Sequence, residues 1–130
     1  MPRTDPPLAA PAVLVLTLAA GVAAGPAAAH EIASEATCAS TGKALVHDCT
    51  FTLTDAANGA PVEDAAFTVH PMMPSMPMAH NVRPVEAVPG DAPGTYEARI
   101  PLEMTGTWRL ELRLTAPHEI TLGNRLDFTE

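Results

Sequence analysis

The sequence predicts a small antiparallel β-sandwich that follows a short apolar leader. Apolar and polar residues alternate in several short segments, and Gly, Pro or Asn interrupts the chain at intervals of about ten residues. Nowhere do apolar residues recur at helical spacing over a useful length. Several short strands separated by turns are typical of an all-β sandwich of about 100 residues.

Residues 1–29 have the composition of a secretory signal peptide. Arg3 provides a positive start, residues 8–24 form an apolar run, and Ala27–Ala29 end the segment in an A-x-A pattern. The run is slightly shorter than the ~18–20 apolar residues that a membrane-spanning helix needs. We therefore expect cleavage and a periplasmic or secreted protein, with a retained N-terminal anchor as the open alternative.

The acidic balance of the chain excludes a basic nucleic-acid-binding protein. Arg3 and Asp5 are the only charged residues of the leader, so the rest of the chain keeps the whole formal net charge of −8. The acidic residues are spread along the chain, which indicates a solvated surface. No Ser/His/Asp order, phosphate-binding loop or H-E-x-x-H motif occurs, so we expect no enzymatic activity.

Cys38 and Cys49 are the only two cysteines. An even count in an exported protein predicts a disulfide. Closing a loop of about 12 residues would contribute roughly 3 kcal/mol by reducing the entropy of the unfolded chain. The alternative, a pair of thiolate metal ligands, lacks the short C-x-x-C spacing of redox and structural metal motifs.

The predicted sandwich domain covers residues 44–130, after an N-terminal segment of residues 30–43. In its first strand Cys49, Phe51 and Leu53 share one face, and we expect His47 at the surface. A turn at Asn58-Gly59 follows. We predict the strands at residues 44–54, 65–70, 95–102, 108–114, 120–122 and 126–128, with a loop at residues 71–94.

Trp108 lies in the most regular alternating segment, between Trp108 and Leu114. An aromatic side chain at the centre of the most apolar strand is expected to anchor the core. The alternative role for Trp108 is a stacking platform for a ligand.

The residues from His70 to His80 concentrate the groups that could carry chemistry. This segment holds four of the six methionines and two of the five histidines. Thioether sulfur prefers Cu(I), imidazole serves either oxidation state of copper, and the prolines keep the segment extended. We therefore predict a copper site, with Cu(I) favoured and Cu(II) as the alternative, whose ligands are His70, Met72, Met73, Met76, Met78 and His80, with His30 and Met104 as additional candidates.

Other roles for these residues stay open. Methionines also fill irregular gaps in cores, so the segment could instead pack across the end of a thin sandwich or contact a partner. We expect Met104, at a turn, to lie in the core. Cleavage after Ala29 would give His30 a free α-amine, which with its imidazole could chelate Cu(II); otherwise His30 begins a frayed tail.

The chain resembles the YtkA-like domain, a family related to the periplasmic part of FixH. The likeness covers roughly residues 45–115 and rests on the Met/Pro-rich loop, on the segment from Gly94 to Ala98 and on the segment from Leu102 to Leu110. It implies an immunoglobulin-like β-sandwich that is associated with copper handling and with the assembly of copper enzymes. We expect a copper chaperone that delivers the ion to a periplasmic or membrane copper protein. The alternative is a metal-free accessory module of a membrane complex.

Overall fold

The computed structural model describes residues 2–4, 31–78 and 82–129. Most of the predicted signal peptide lies outside these ranges and stays a prediction. None of the described segments forms a helix that is long and apolar enough to cross a membrane. The described residues contain eight strands: β1 (Ile32–Ser40), β2 (Val46–Asp55), β3 (Ala66–Met72), β4 (Val85–Glu86), β5 (Val88–Pro89), β6 (Thr95–Pro101), β7 (Gly106–Ala116) and β8 (Ile120–Phe128).

The strands form two antiparallel sheets of four strands each. One sheet has the order β1-β2-β6-β5, and the other has the order β4-β3-β7-β8. The predicted all-β sandwich is therefore confirmed. If the eight strands are named A, B, C, C′, D, E, F and G in chain order, the sheets read A-B-E-D and C′-C-F-G, as in immunoglobulin-like sandwiches.

An apolar core fills the space between the two sheets. Cys49, Phe51 and Leu53 of β2 face inward, as the alternation predicts. Trp108 is fully buried, and its indole Nε1 donates a hydrogen bond to the carbonyl of Met104 at 3.0 Å. Its predicted role as a core anchor is confirmed, because a fully buried ring offers no surface for a stacked ligand.

Tyr96 of β6 ties the connection between β2 and β3 to the core. Its buried hydroxyl donates a hydrogen bond to the carbonyl of Val62 at 2.6 Å and accepts one from the N–H of Ala65 at 3.0 Å. Its ring packs edge-on against Phe67, with the centroids 5.2 Å apart. One side chain thus satisfies two backbone groups of this connection.

β1 extends the sandwich beyond the predicted domain boundary. It pairs with β2 along its whole length, from Ile32 to Ser40, so the domain begins at Ile32 rather than at Ala44. The prediction that residues 30–43 precede the sandwich was wrong, because most of them form β1. The sequence does not reveal this strand because it lies at the edge of its sheet. Its half-buried positions include Ser34 and Ala36, which produce no apolar alternation.

The predicted disulfide between Cys38 and Cys49 is confirmed. The two residues lie directly opposite each other in the register of β1 and β2. The bond therefore fastens the edge strand β1 to the central strand β2.

The predicted loop of residues 71–94 contains more strand structure than the sequence indicates. β3 continues through Pro71 to Met72, and the short strands β4 and β5 follow. Proline is tolerated at Pro71 because β4 pairs only with Thr68 and Val69, which leaves that edge of β3 uncovered farther along.

The two ends of the sandwich carry different connections. β2 has ten residues and spans about 30 Å between them. We call one end the methionine end; it comprises residues 41–45, 73–78, 82–84, 102–105 and Thr129. The opposite end comprises Glu31 and residues 56–65, 90–94 and 117–119.

Candidate functional site

Methionines at one end of the sandwich differ sharply in exposure. Met73 is 4% exposed and belongs to the core, whereas Met76 is 38% exposed and Met78 is 95% exposed. The N–H of Met76 donates a hydrogen bond to the carbonyl of Met73 at 3.0 Å, which closes a turn directly after the core residue. Met76 and Met78 therefore stand outside the core, where an ion in solution can reach their sulfur atoms.

Met73 and Met104 exchange the roles that the sequence suggests for them. We expected Met104 in the core, and that prediction was wrong: its side chain is 38% exposed. The bond from Trp108 fixes only the carbonyl of Met104 and leaves its side chain on the surface. Met73 packs inward instead, and its Cε lies 3.1 Å from the point where a side-chain Cβ on Gly106 would stand. The absence of a side chain at Gly106 makes room for Met73.

His70 and Met72 lie on the outer face of the β3 sheet rather than in the loop. Residues of β3 alternate, and the burial pattern places Thr68, His70 and Met72 on the more exposed side. His70 Nε2 and the hydroxyl of Thr68 share a hydrogen bond of 2.8 Å. Met72 is the last residue of the strand, so it connects the outer face to the exposed turn.

The environment of His70 favours a neutral imidazole. Burial disfavours the charged ring and lowers the pKa of His70, and the positive charge of Arg113 lowers it further. Glu111, which lies opposite His70 in the neighbouring strand β7, raises the pKa of His70 but does not reverse the effect. A neutral ring keeps one nitrogen lone pair, as metal binding requires.

His30 and His80 lie outside the described residues, so their role as ligands stays a prediction. Glu31, which follows His30 in the chain, lies at the opposite end from the exposed methionines. Within the described ranges, no group of three or more His, Cys, Asp or Glu side chains could hold a metal ion. The methionine end offers thioether sulfur and the carboxylate of Glu103 as metal donors, and the imidazoles of His47 and His70 lie in the adjoining strands.

The position predicted for His47 was also wrong. We expected it at the surface, but it is buried in β2, beside the turn of residues 41–45, and its ring contacts that of Phe128 with the centroids 4.7 Å apart. The sequence does contain the signal: residues two apart in a strand share a face, so His47 lies on the same side as Cys49.

The sequence profile of the YtkA-like family matches residues 32–113. The match begins at β1, includes the disulfide and the exposed methionines, and ends within β7. No curated protein and no solved structure gives a significant match. The family match covers more than half of the chain and agrees with the resemblance of the Met/Pro-rich loop and of the segments around Tyr96 and Trp108. The chain belongs to the YtkA-like family.

Proposed function

We propose that this protein is an exported copper-binding protein that takes up Cu(I) at the methionine end and delivers it to a partner copper protein. The exposure of Met76 and Met78 supports the proposal most directly. These two thioethers lie two residues apart outside the core. Soft, neutral sulfur ligands favour Cu(I) over Zn(II), Mg(II) or Ca(II). Without a ligand or partner, exposed methionines only add apolar surface that is sensitive to oxidation.

Further donors adjoin this exposed pair. Met72 is half-buried at the end of β3, and the neutral ring of His70 precedes it on the same face. We propose Met72, Met76 and Met78 as the principal thioether ligands, with His70 and His80 as the imidazoles. Met73 is the least suited of the predicted ligands because its side chain would have to leave the core to bind an ion.

Delivery to a partner requires ligands that exchange readily. Neutral thioethers hold Cu(I) without a charge that must be neutralised on release. The turn that carries Met76 has few backbone hydrogen bonds to the sheets, which lets its side chains move without opening the core. The same features suit capture and release better than permanent storage.

Export is proposed on two grounds. Residues 1–29 have the composition of a secretory signal. The disulfide between Cys38 and Cys49 is of the kind that persists in oxidising compartments. We further propose that the protein is not an enzyme and acts by binding and transfer.

A competition titration tests the copper proposal. We expect the Met76→Leu/Met78→Leu double variant to lose about tenfold or more in Cu(I) affinity against a chromophoric Cu(I) chelator. Met73→Leu is the matched control, since it makes the same chemical change in the core and should leave the affinity unchanged. Equal affinities of the double variant and the native protein would contradict the proposal.

The same double variant distinguishes the alternative function. A metal-free accessory module would bind no Cu(I) but would retain a membrane partner during purification, and it would lose that partner in the double variant. This result would assign the exposed methionines to a protein contact rather than to a metal.

A further inference from the structure

A cavity of about 610 Å³ opens at the methionine end, between the turn of residues 41–45 and the connection of residues 102–105. A histidine and a methionine, His47 and Met104, both line it. None of the residues in the exposed turn from Met73 to Met78 lines this cavity. The cavity is therefore separate from the copper site proposed above.

His47 is a buried polar group without a hydrogen-bond partner in the described part of the chain. Its side chain is only 8% exposed, and its described ring contact is the apolar ring of Phe128. A buried imidazole that has no partner is unfavourable. Its nitrogen lone pair is consequently available to a ligand that enters the cavity.

The wall of the cavity is held in a strained conformation. Leu45 has a φ of 62°, a left-handed value that is rare for a branched, bulky residue. Its carbonyl accepts a hydrogen bond of 2.8 Å from the N–H of Leu102, which ties the turn to the connection that carries Met104. Strain of this kind persists where the surrounding structure enforces it, and it is concentrated at binding sites. The two walls that carry the donors are thus fixed relative to each other.

The chemistry of the lining indicates which ion the cavity accepts. A thioether and an imidazole that line one cavity suit copper, and the sulfur disfavours Zn(II) and the oxygen-seeking cations. Among the described residues that line the cavity none is acidic, and Lys43 adds a positive charge at the rim. Such a lining disfavours divalent cations more than a monovalent one.

We propose that His47 and Met104 form a second copper site, which holds Cu(I) through one imidazole nitrogen and one thioether sulfur. The proposal does not depend on the site at Met76 and Met78. Two copper sites at the same end of one domain would allow the protein to carry ions in both or to pass one between them.

The test follows the methionine methyl groups by ¹³C NMR during titration with Ag(I), a diamagnetic substitute for Cu(I). The full chain carries Met76→Leu and Met78→Leu, so that the exposed turn binds no silver through these residues. We expect the Met104 methyl signal to shift and to saturate with the added ion. The Met73 methyl, which lies in the core, should not move.

Two further variants test the ligand pair. His47→Phe keeps an aromatic ring against Phe128 but removes the nitrogen donor, and it should weaken the Ag(I) response of Met104 about tenfold or more. Met104→Leu should remove the Ag(I)-induced shift of the His47 ring nitrogens, a readout that stands if His47→Phe fails to fold. A Met104 methyl that stays in place, or that shifts equally in folded His47→Phe, would overturn the proposal. A shift of the Met104 methyl signal together with unchanged Cu(I) affinity in the Met76→Leu/Met78→Leu variant would refute only the site at Met76 and Met78.

Discussion

Replacement of Gly94 by Ala tests the packing of the β5–β6 connection against the β2–β3 connection, at the end of the sandwich opposite the methionine end. Gly94 has a φ of 74°, and a Cβ added there would stand 2.7 Å from the Cβ of Pro61 and 2.9 Å from the carbonyl oxygen of Leu53. Its own carbonyl accepts the N–H of Leu53 at 2.9 Å, so the backbone cannot move away freely. A methyl group therefore meets both a backbone oxygen and a rigid ring.

The expected cost of Gly94→Ala has two parts. The left-handed conformation disfavours an L-residue by about 1–2 kcal/mol, and forcing atoms into a filled space costs typically about 1–3 kcal/mol. Alanine restricts the unfolded chain and returns roughly 0.4–1 kcal/mol. We expect a net loss of about 3 kcal/mol, which for a domain of this size lowers Tm by roughly 12–24 °C.

Gly59→Ala is the matched control for this substitution. Gly59 has the same φ of 74°, but nothing lies within 4 Å of an added Cβ. It shares the conformational cost without the steric one and should lose only about 1 kcal/mol. Urea unfolding followed by the fluorescence of Trp108 measures both variants. A Gly94→Ala protein that is no less stable than Gly59→Ala would refute the reasoning.

Three further predictions concern the disulfide, Tyr96 and His70. Joint replacement of Cys38 and Cys49 by Ala should lower the free energy of unfolding by about 3 kcal/mol; an unchanged urea midpoint would argue against it. Tyr96→Phe removes the hydroxyl that bridges two backbone groups, so it should lower the free energy of unfolding by about 1–3 kcal/mol in the same assay. An unchanged free energy of unfolding would contradict this. The lowered pKa of His70 means that the unfolded chain binds the proton more tightly than the folded one. Stability should therefore fall as pH drops below the ordinary value of 6.5 and recover above it. NMR titration of the His70 ring checks this, and an apparent pKa above 6.5 would contradict it.

The sequence predicted the central strands because their side chains meet the core directly. In β2 and β7 one face packs against the other sheet, so apolar residues alternate strictly from Cys49 to Leu53 and from Trp108 to Leu114. β1 was not predicted, because an edge strand buries less surface and tolerates small polar residues at its inner positions. The short strands β4 and β5 were not predicted, because two residues cannot show an alternation of apolar and polar side chains.

The site was predictable in composition but not in arrangement. The concentration of methionine and histidine between His70 and His80 is visible in the sequence. The sequence does not show that Met73 enters the core while Met78 points away, since this depends on the space beside Gly106, in a different strand. The cavity at His47 likewise depends on residues from two connections and on Thr129, which only the folded chain brings together.

The separation of Glu31 from the exposed methionines has a consequence for attachment. A membrane anchor, affinity tag or fusion partner joined ahead of Glu31 is attached about 30 Å from the methionine end, along the long axis of the strands. One joined after Thr129 is attached beside the cavity of His47 and Met104. A molecule held from its N-terminal side therefore directs its exposed methionines away from the point of attachment. Tethering after Thr129 would instead crowd the methionine end itself.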